Sequence, residues 1–284
     1  MYFGSHVSIS PRLDKAPENA ANIGAECFQC FSQSPRGGKR KMPDNEIIKG
    51  FKANIKKFNI KASYLHAPYF INLASKNNRI YHGSISAIRK DLEIASALGA
   101  KGVVVHVGSA KDYVKPGDKS IPPAACQQAS KALKEILKDY KGKAELILEN
   151  AAGAGNIIGG DLDQLAFFLK EVKAVGGICF DTAHAFESGM DLRTKEEVSK
   201  ALNQIEQKIG LDKLKLIHLN DSKTKLGSNS DRHEHLGLGE IVIEAFIALV
   251  RDKRLEKLNF ILETPTLEGI IKDLEFLKGI RAES

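Results

Sequence analysis

The chain has no tryptophan, only three methionines and only four cysteines among 284 residues. Cys27, Cys30, Cys126 and Cys179 are too few to staple a chain of this size, so a disulfide framework is excluded and reduced packing thiols are expected. Cys27 and Cys30 spell C-x-x-C inside the run AECFQCF, but residues three apart on a strand face opposite sides and cannot share an ion. No apolar run approaches the roughly 18 residues of a membrane-spanning helix. The opening MYFGSHVSIS has no basic segment followed by an apolar one, so no signal peptide is expected and the expected address is the cytoplasm. No linker rich in proline, serine or glycine divides the chain. Charge is only mildly lopsided: 42 Lys and Arg against 35 Asp and Glu leave +7, a modest lean toward polyanions.

What is present is one rhythm. Short apolar runs (YFGSHVSI, ECFQCF, ASYLH, GVVVH, ELILE, GICFD, LKLIH and NFILE) alternate with longer amphipathic segments. In RIYHGSISAIRKDLEIASALGA, Ile85, Ile88, Leu92, Ala95 and Leu98 share one helical face. Gly99, Gly142, Gly176 and Gly210 follow such segments, where helix stop signals belong. Runs rich in Val, Ile and Leu suit strands buried on both faces, hence a parallel sheet. Eight repeats of about 35 residues predict a (β/α)8 TIM barrel, an eight-stranded parallel barrel with outer helices, as one domain over residues 1–284. A doubly wound sheet is the alternative.

Six of the eight runs end on a side chain of metal-ligand type: His66, His106, Glu149, Asp181, His218 and Glu263. They lie 32 to 45 residues apart, one βα unit apiece, so in a barrel all six ring the C-terminal mouth. D-T-A-H adds His184, and D-R-H adds Asp231 and His233. A lone strand-end histidine is more often a packing residue. Six such ends without a matching set of cations are not explained by packing, because Asp, Glu and His are poor interior residues unless paired or metal-bound. Nine mixed nitrogen and oxygen donors exceed what one ion takes and point to two or three, with one or two carboxylates bridging. Three divalent ions against four carboxylates leave net positive charge, which suits an anionic phosphate and lowers the pKa of a bridging water. His82 is expected on an exposed helix face and His235 in a loop, while His6 fits the mouth or the core equally. The basic loop with Arg36, Lys39, Arg40 and Lys41 is by default a solvated turn, and beside such a mouth a candidate phosphate clamp. Tyr69, three residues past His66, is a candidate wedge for a base stack.

In this order, HAPYFINLAS, HVGS, LEN-x-AG-x-G, FDTAHAF-x-SG, HLNDSK-x-x-x-GS-x-x-DRHE-x-LG-x-G and LETP resemble the endonuclease IV family of apurinic/apyrimidinic endonucleases. The resemblance implies a (β/α)8 barrel with three zinc ions (Zn2+) per chain, Mn2+ being an alternative occupant of one site. It implies hydrolysis of the phosphodiester 5′ to an abasic site in duplex DNA, leaving a 3′-hydroxyl and a 5′-deoxyribose phosphate, with trimming of 3′ ends, in base excision repair by a monomer. His66, His106 and Glu149 would hold one ion. Glu149 would be shared with a second, completed by Asp181, His218 and Glu263, and His184, Asp231 and His233 would hold the third. Glu149 and Glu263 would flank the attacking hydroxide. Tyr69 and Arg36 would enter the DNA, with Lys39, Arg40, Lys41, Asn220 and Lys223 as further DNA contacts. The chain departs from the family in lacking a tryptophan after Arg36, in Met190 of SGMD, and in Val242 where members often show glycine. A sugar isomerase on a related barrel would need one metal and only Glu149, Asp181, His218 and Glu263. A non-enzymatic damage binder would need no water-activating site at all.

Overall fold

A computed structural model of the chain describes residues 1–37 and 40–283. The eight apolar runs form strands β1 (Tyr2–His6), β2 (Cys27–Phe31), β3 (Ala62–His66), β4 (Gly102–Val105), β5 (Glu145–Glu149), β6 (Gly177–Asp181), β7 (Leu214–His218) and β8 (Asn259–Leu262). They close into a parallel barrel in chain order, β8 pairing with β1, as the (β/α)8 reading expects. Around it lie α1 (Ala16–Asn22), α2 (Asn45–Lys57), α3 (Asn78–Leu98), α4 (Pro123–Leu137), α5 (Leu162–Glu171), α6 (Thr182–Glu187), α7 (Lys195–Lys208), α8 (Ile243–Arg251) and α9 (Leu267–Ala282). Among the described residues no helix is long and apolar enough to cross a membrane.

Period-two alternation divides each strand between two cores. Cys27, Tyr64, Val104, Ile147, Leu216 and Ile261 fill the barrel interior, while Phe28, Cys30, Leu65, Val103, Leu148 and Ile217 pack outward against the helices. Cys27 and Cys30 therefore belong to different cores, and all four cysteines are free and buried. Each fully buried Leu, Ile or Phe contributes about 1.5–3 kcal/mol relative to exposure.

Helix α3 starts where the Asn77 side chain accepts from the Arg79 and Ile80 amides, and ends at Gly99, whose φ of +82° suits a residue without Cβ. Gly210, at φ +90°, comes one residue after the Ile209 cap of α7. Gly142 and Gly176 lie several residues beyond α4 and α5 and do not cap them. Val242 stands at φ +71° immediately before α8, a conformation a β-branched side chain adopts only under strain.

Candidate metal centre

All six strand-end residues reach the C-terminal mouth, and the loops bring the other three. The donor atoms form three groups, each with its atoms within 4.8 Å of one another: His66, His106 and Glu149; Glu149, Asp181, His218 and Glu263; and Asp181, His184 and His233. Asp231 adjoins the last, its Oδ1 lying 3.5 Å from His184 Nε2 and 3.6 Å from His233 Nε2. A cavity of about 510 Å³ opens onto His66, His106, His184, His233 and Glu263.

Glu149 is fully buried at the end of β5 and stands between two groups. Its Oε2 faces His66 Nε2 at 3.0 Å and His106 Nε2 at 3.4 Å, while Oε1 faces His218 Nδ1 at 2.9 Å. Asp181 ends β6 and caps α6, its Oδ1 accepting from the His184 amide at 2.9 Å, which sets His184 one turn into the helix. Asn220 Nδ2 donates to Asp181 Oδ2 at 2.7 Å.

The ring partners fix which nitrogens keep a free lone pair. His66 Nδ1 donates to Ala67 O (2.7 Å), His184 Nδ1 to Asn150 O (3.1 Å) and His233 Nδ1 to Glu263 O (3.3 Å). Gln29 Nε2 donates to Glu263 Oε1 (2.8 Å), so Gln29 Oε1 accepts from His218 Nε2 (3.0 Å). The opposite nitrogens turn to the carboxylates, the arrangement metal-binding histidines use. His184 Nε2 and His233 Nε2 lie 3.3 Å apart, so a proton or a cation must separate the two lone pairs. The donor set, all imidazole and carboxylate, fits zinc-type ions at each group.

Charge in the centre is strongly coupled. Burial disfavours the ionised Glu149, but the surrounding rings of His106, His218 and His184 outweigh it and hold the carboxyl well below its ordinary range. Glu263 is held low against its burial by His218 and a hydrogen bond from His6. Against the same burial, Asp181 and Asp231 raise His184, and Glu149 raises His66. For His106, burial prevails and lowers the pKa.

The expected DNA contacts fall in different places. Tyr69 is 77% exposed at the mouth, its ring edge-on to Phe31 at 5.3 Å. Arg36, Lys41 and Lys223 are exposed, Lys223 lying 3.5 Å from Glu234. Arg40 turns inward instead: its side chain is 4% exposed, 3.6 Å from Asp91 of α3, and donates to Ser34 O. Asn220 is fully buried and serves Asp181 and the Glu263 amide. Lys39 lies outside the described residues.

His6 lines the mouth, 3.2 Å from Glu263, and His82 is exposed. His235 lies in a loop as expected, but is buried there and bonded to Asp273 at 2.8 Å and Thr266 at 2.9 Å. Gln29 and Asn150 escaped the sequence reading because neither is a metal-ligand type. The signal for Gln29 was its place two residues from Cys27 on the same face of β2.

A parallel eight-stranded barrel with ion-binding groups at its C-terminal mouth defines a class, the xylose isomerase-like TIM barrels, and that family's sequence model matches residues 17–280. A probable endonuclease 4 from Halothermothrix orenii is 36% identical over 285 residues, covering all of both chains. The crystal structure of endonuclease IV from Thermus thermophilus superposes with a TM-score of 0.88 at 28% identity, again over the whole of both chains. A D-tagatose 3-epimerase-like protein, at a TM-score of 0.73 and 22% identity over 100% of this chain and 98% of its own, shares the barrel fold alone. The chain belongs to the endonuclease IV family of endonucleases.

Proposed function

We propose that this protein is a zinc-dependent endodeoxyribonuclease that hydrolyses the phosphodiester 5′ to an abasic site in duplex DNA, leaving a 3′-hydroxyl and a 5′-deoxyribose phosphate. The observation that carries this reading is the two-sided Glu149 carboxylate, one oxygen toward His66 and His106 and the other toward His218, as a carboxylate shared by two ions requires. His66, His106 and Glu149 would hold one ion, Glu149, Asp181, His218 and Glu263 a second, and His184, Asp231 and His233 a third. Such ions, when bound, polarise a phosphate and lower the pKa of a water.

The chain's own residues prepare that chemistry. Glu149 and Glu263 are the carboxylates beside which the attacking water is held. Gln29 and His6 orient Glu263 through its Oε1, and Asn220 orients Asp181. Tyr69 presents an exposed ring that fills the gap an absent base leaves in the stack. Arg36, Lys41 and Lys223 neutralise flanking phosphates, so affinity for duplex is salt-dependent while the missing base gives preference. Arg40 and Asn220 act from inside, through Asp91 and Asp181. In the same reading the chain is one barrel domain, works as a monomer and trims blocked 3′ ends.

A single-ion sugar isomerase would leave His66, His106, His184 and His233 without a task. Zinc analysis of the purified chain after dialysis separates the two: about three ions per chain support the endonuclease reading, and about one per chain, with isomerisation of a free sugar, replaces it.

A further inference from the structure

We propose that Glu187 is the positioning residue of the third ion group: its buried carboxylate holds the loop that delivers Asp231 and His233. The inference rests on the three-ion reading above. Glu187 lies three residues after His184 on α6 and is fully buried. Its Oε1 accepts from Ser222 Oγ at 2.7 Å, Thr224 Oγ1 at 3.2 Å and the Arg232 amide at 3.1 Å. Arg232 is the residue between Asp231 and His233. The end of α6 also receives the loop backbone, Phe186 O accepting from the Gly227 amide at 3.1 Å and Glu187 O from the Asn229 amide at 2.8 Å.

The third group needs such an anchor more than the other two. Those draw their donors from strand ends, which the barrel ladder already fixes. Asp231 and His233 sit on the excursion after β7, which folds back on itself through the short antiparallel pair Asp221–Ser222 with His233–Glu234, and the Asp231 side chain is 59% exposed, against 31% for His106 and less for the other seven. A loop left without this anchor must be ordered further by the ion itself, and that entropic cost weakens ion binding. A buried carboxylate is costly unless its bonds compensate. Here all three donors come from the segment that follows β7, and none of them is a cationic side chain.

The test is zinc binding by the full-length chain at buffered free zinc, counted per chain, with thermal unfolding followed in parallel. Wild type, Glu187→Ala and Glu187→Gln are compared. Glu187→Ala should weaken the last of three ions about 10–100-fold, the range for losing an outer partner of a ligand, and leave the first two unchanged. Glu187→Gln keeps an acceptor for the Arg232 amide and should recover most of the loss. Ser222→Ala removes one of the three donors, a buried hydroxyl, and should shift the same ion in the same direction by less, which keeps the test open if Glu187→Ala does not fold. Three ions held equally tightly in all variants, or equal weakening of all three ions, would overturn the role of Glu187. A wild-type count below three would instead overturn the three-ion reading itself.

Discussion

Replacing Gln29 with leucine removes the side chain that joins Glu263 to His218 while keeping the volume of a fully buried site. Two hydrogen bonds disappear, the 2.8 Å donation to the Glu263 carboxylate and the 3.0 Å acceptance from His218 Nε2, together with the 3.2 Å contact of Gln29 Nε2 with His6 Nδ1. A hydrogen bond to a charged group is worth about 1.5–3 kcal/mol, and the buried His218 N–H is left unpaired. Without that acceptor, His218 is free to carry its proton on Nδ1, the nitrogen that faces Glu149, Asp181 and Glu263. Loss of such an outer partner costs about 10–100-fold in metal affinity, or about 1.4–2.8 kcal/mol. The loss should fall on the second ion, held by Glu149, Asp181, His218 and Glu263, and spare the third, whose rings bond to Asn150 O and Glu263 O. Competition with a metal-sensitive dye, read ion by ion, measures it. An affinity unchanged within about twofold for the second ion, or uniform weakening of all ions, would refute the proposed division of donors.

Three further outcomes follow from the same geometry. Tyr69→Ala should lower affinity for abasic duplex by about 1–3 kcal/mol, the scale of base–aromatic stacking, with zinc content unchanged; an unaltered abasic preference in a binding titration would place the wedge elsewhere. Arg40→Ala should destabilise the fold by about 3 kcal/mol at neutral pH, because it strands a buried partner, whereas a solvated DNA-gripping arginine would change stability little. Asp91, its carboxyl pushed up to about 6 by burial against the pull of Arg40, rises further once that cation is gone, so the Arg40→Ala penalty should shrink as pH falls toward about 6 and stay flat below it; denaturant melts at neutral pH and near pH 6 check both points. Acid should release the ions through the histidines first. His66 and His184 are raised above the ordinary imidazole value near 6.5 and Glu149 is held below the carboxylate range, so falling pH adds competing protons to the rings while that carboxylate stays ionised. Zinc retention in dialysis should therefore fall between neutral pH and about pH 5, and retention that is flat across that window would contradict it.

Much of this centre is legible in the sequence because a barrel strand is nearly all apolar, so a His, Asp or Glu at its end stands out. The same contrast hides Gln29, an uncharged residue within CFQCF whose partners lie 189 and 234 positions away. Arg40 misleads for a related reason. It belongs to a basic run that reads as solvated, and its partner Asp91 sits between Ile88 and Leu92 on the apolar stripe of α3, where a buried acid must find a cation. His235 pairs with Asp273, 38 residues on, across a contact that no local pattern announces. Val242 breaks a local rule visibly: a β-branched residue, at the position where the family resemblance leads one to expect glycine, stands at positive φ.

The most direct measurement is end analysis of a duplex carrying a single abasic site, labelled on either strand end and incubated with the zinc-loaded chain. The account predicts one cut, 5′ to the site, a 3′-hydroxyl that a polymerase extends, a 5′-deoxyribose phosphate, and no protein–DNA adduct trapped by borohydride. A trapped adduct, or a cut on the 3′ side of the abasic residue, would contradict it.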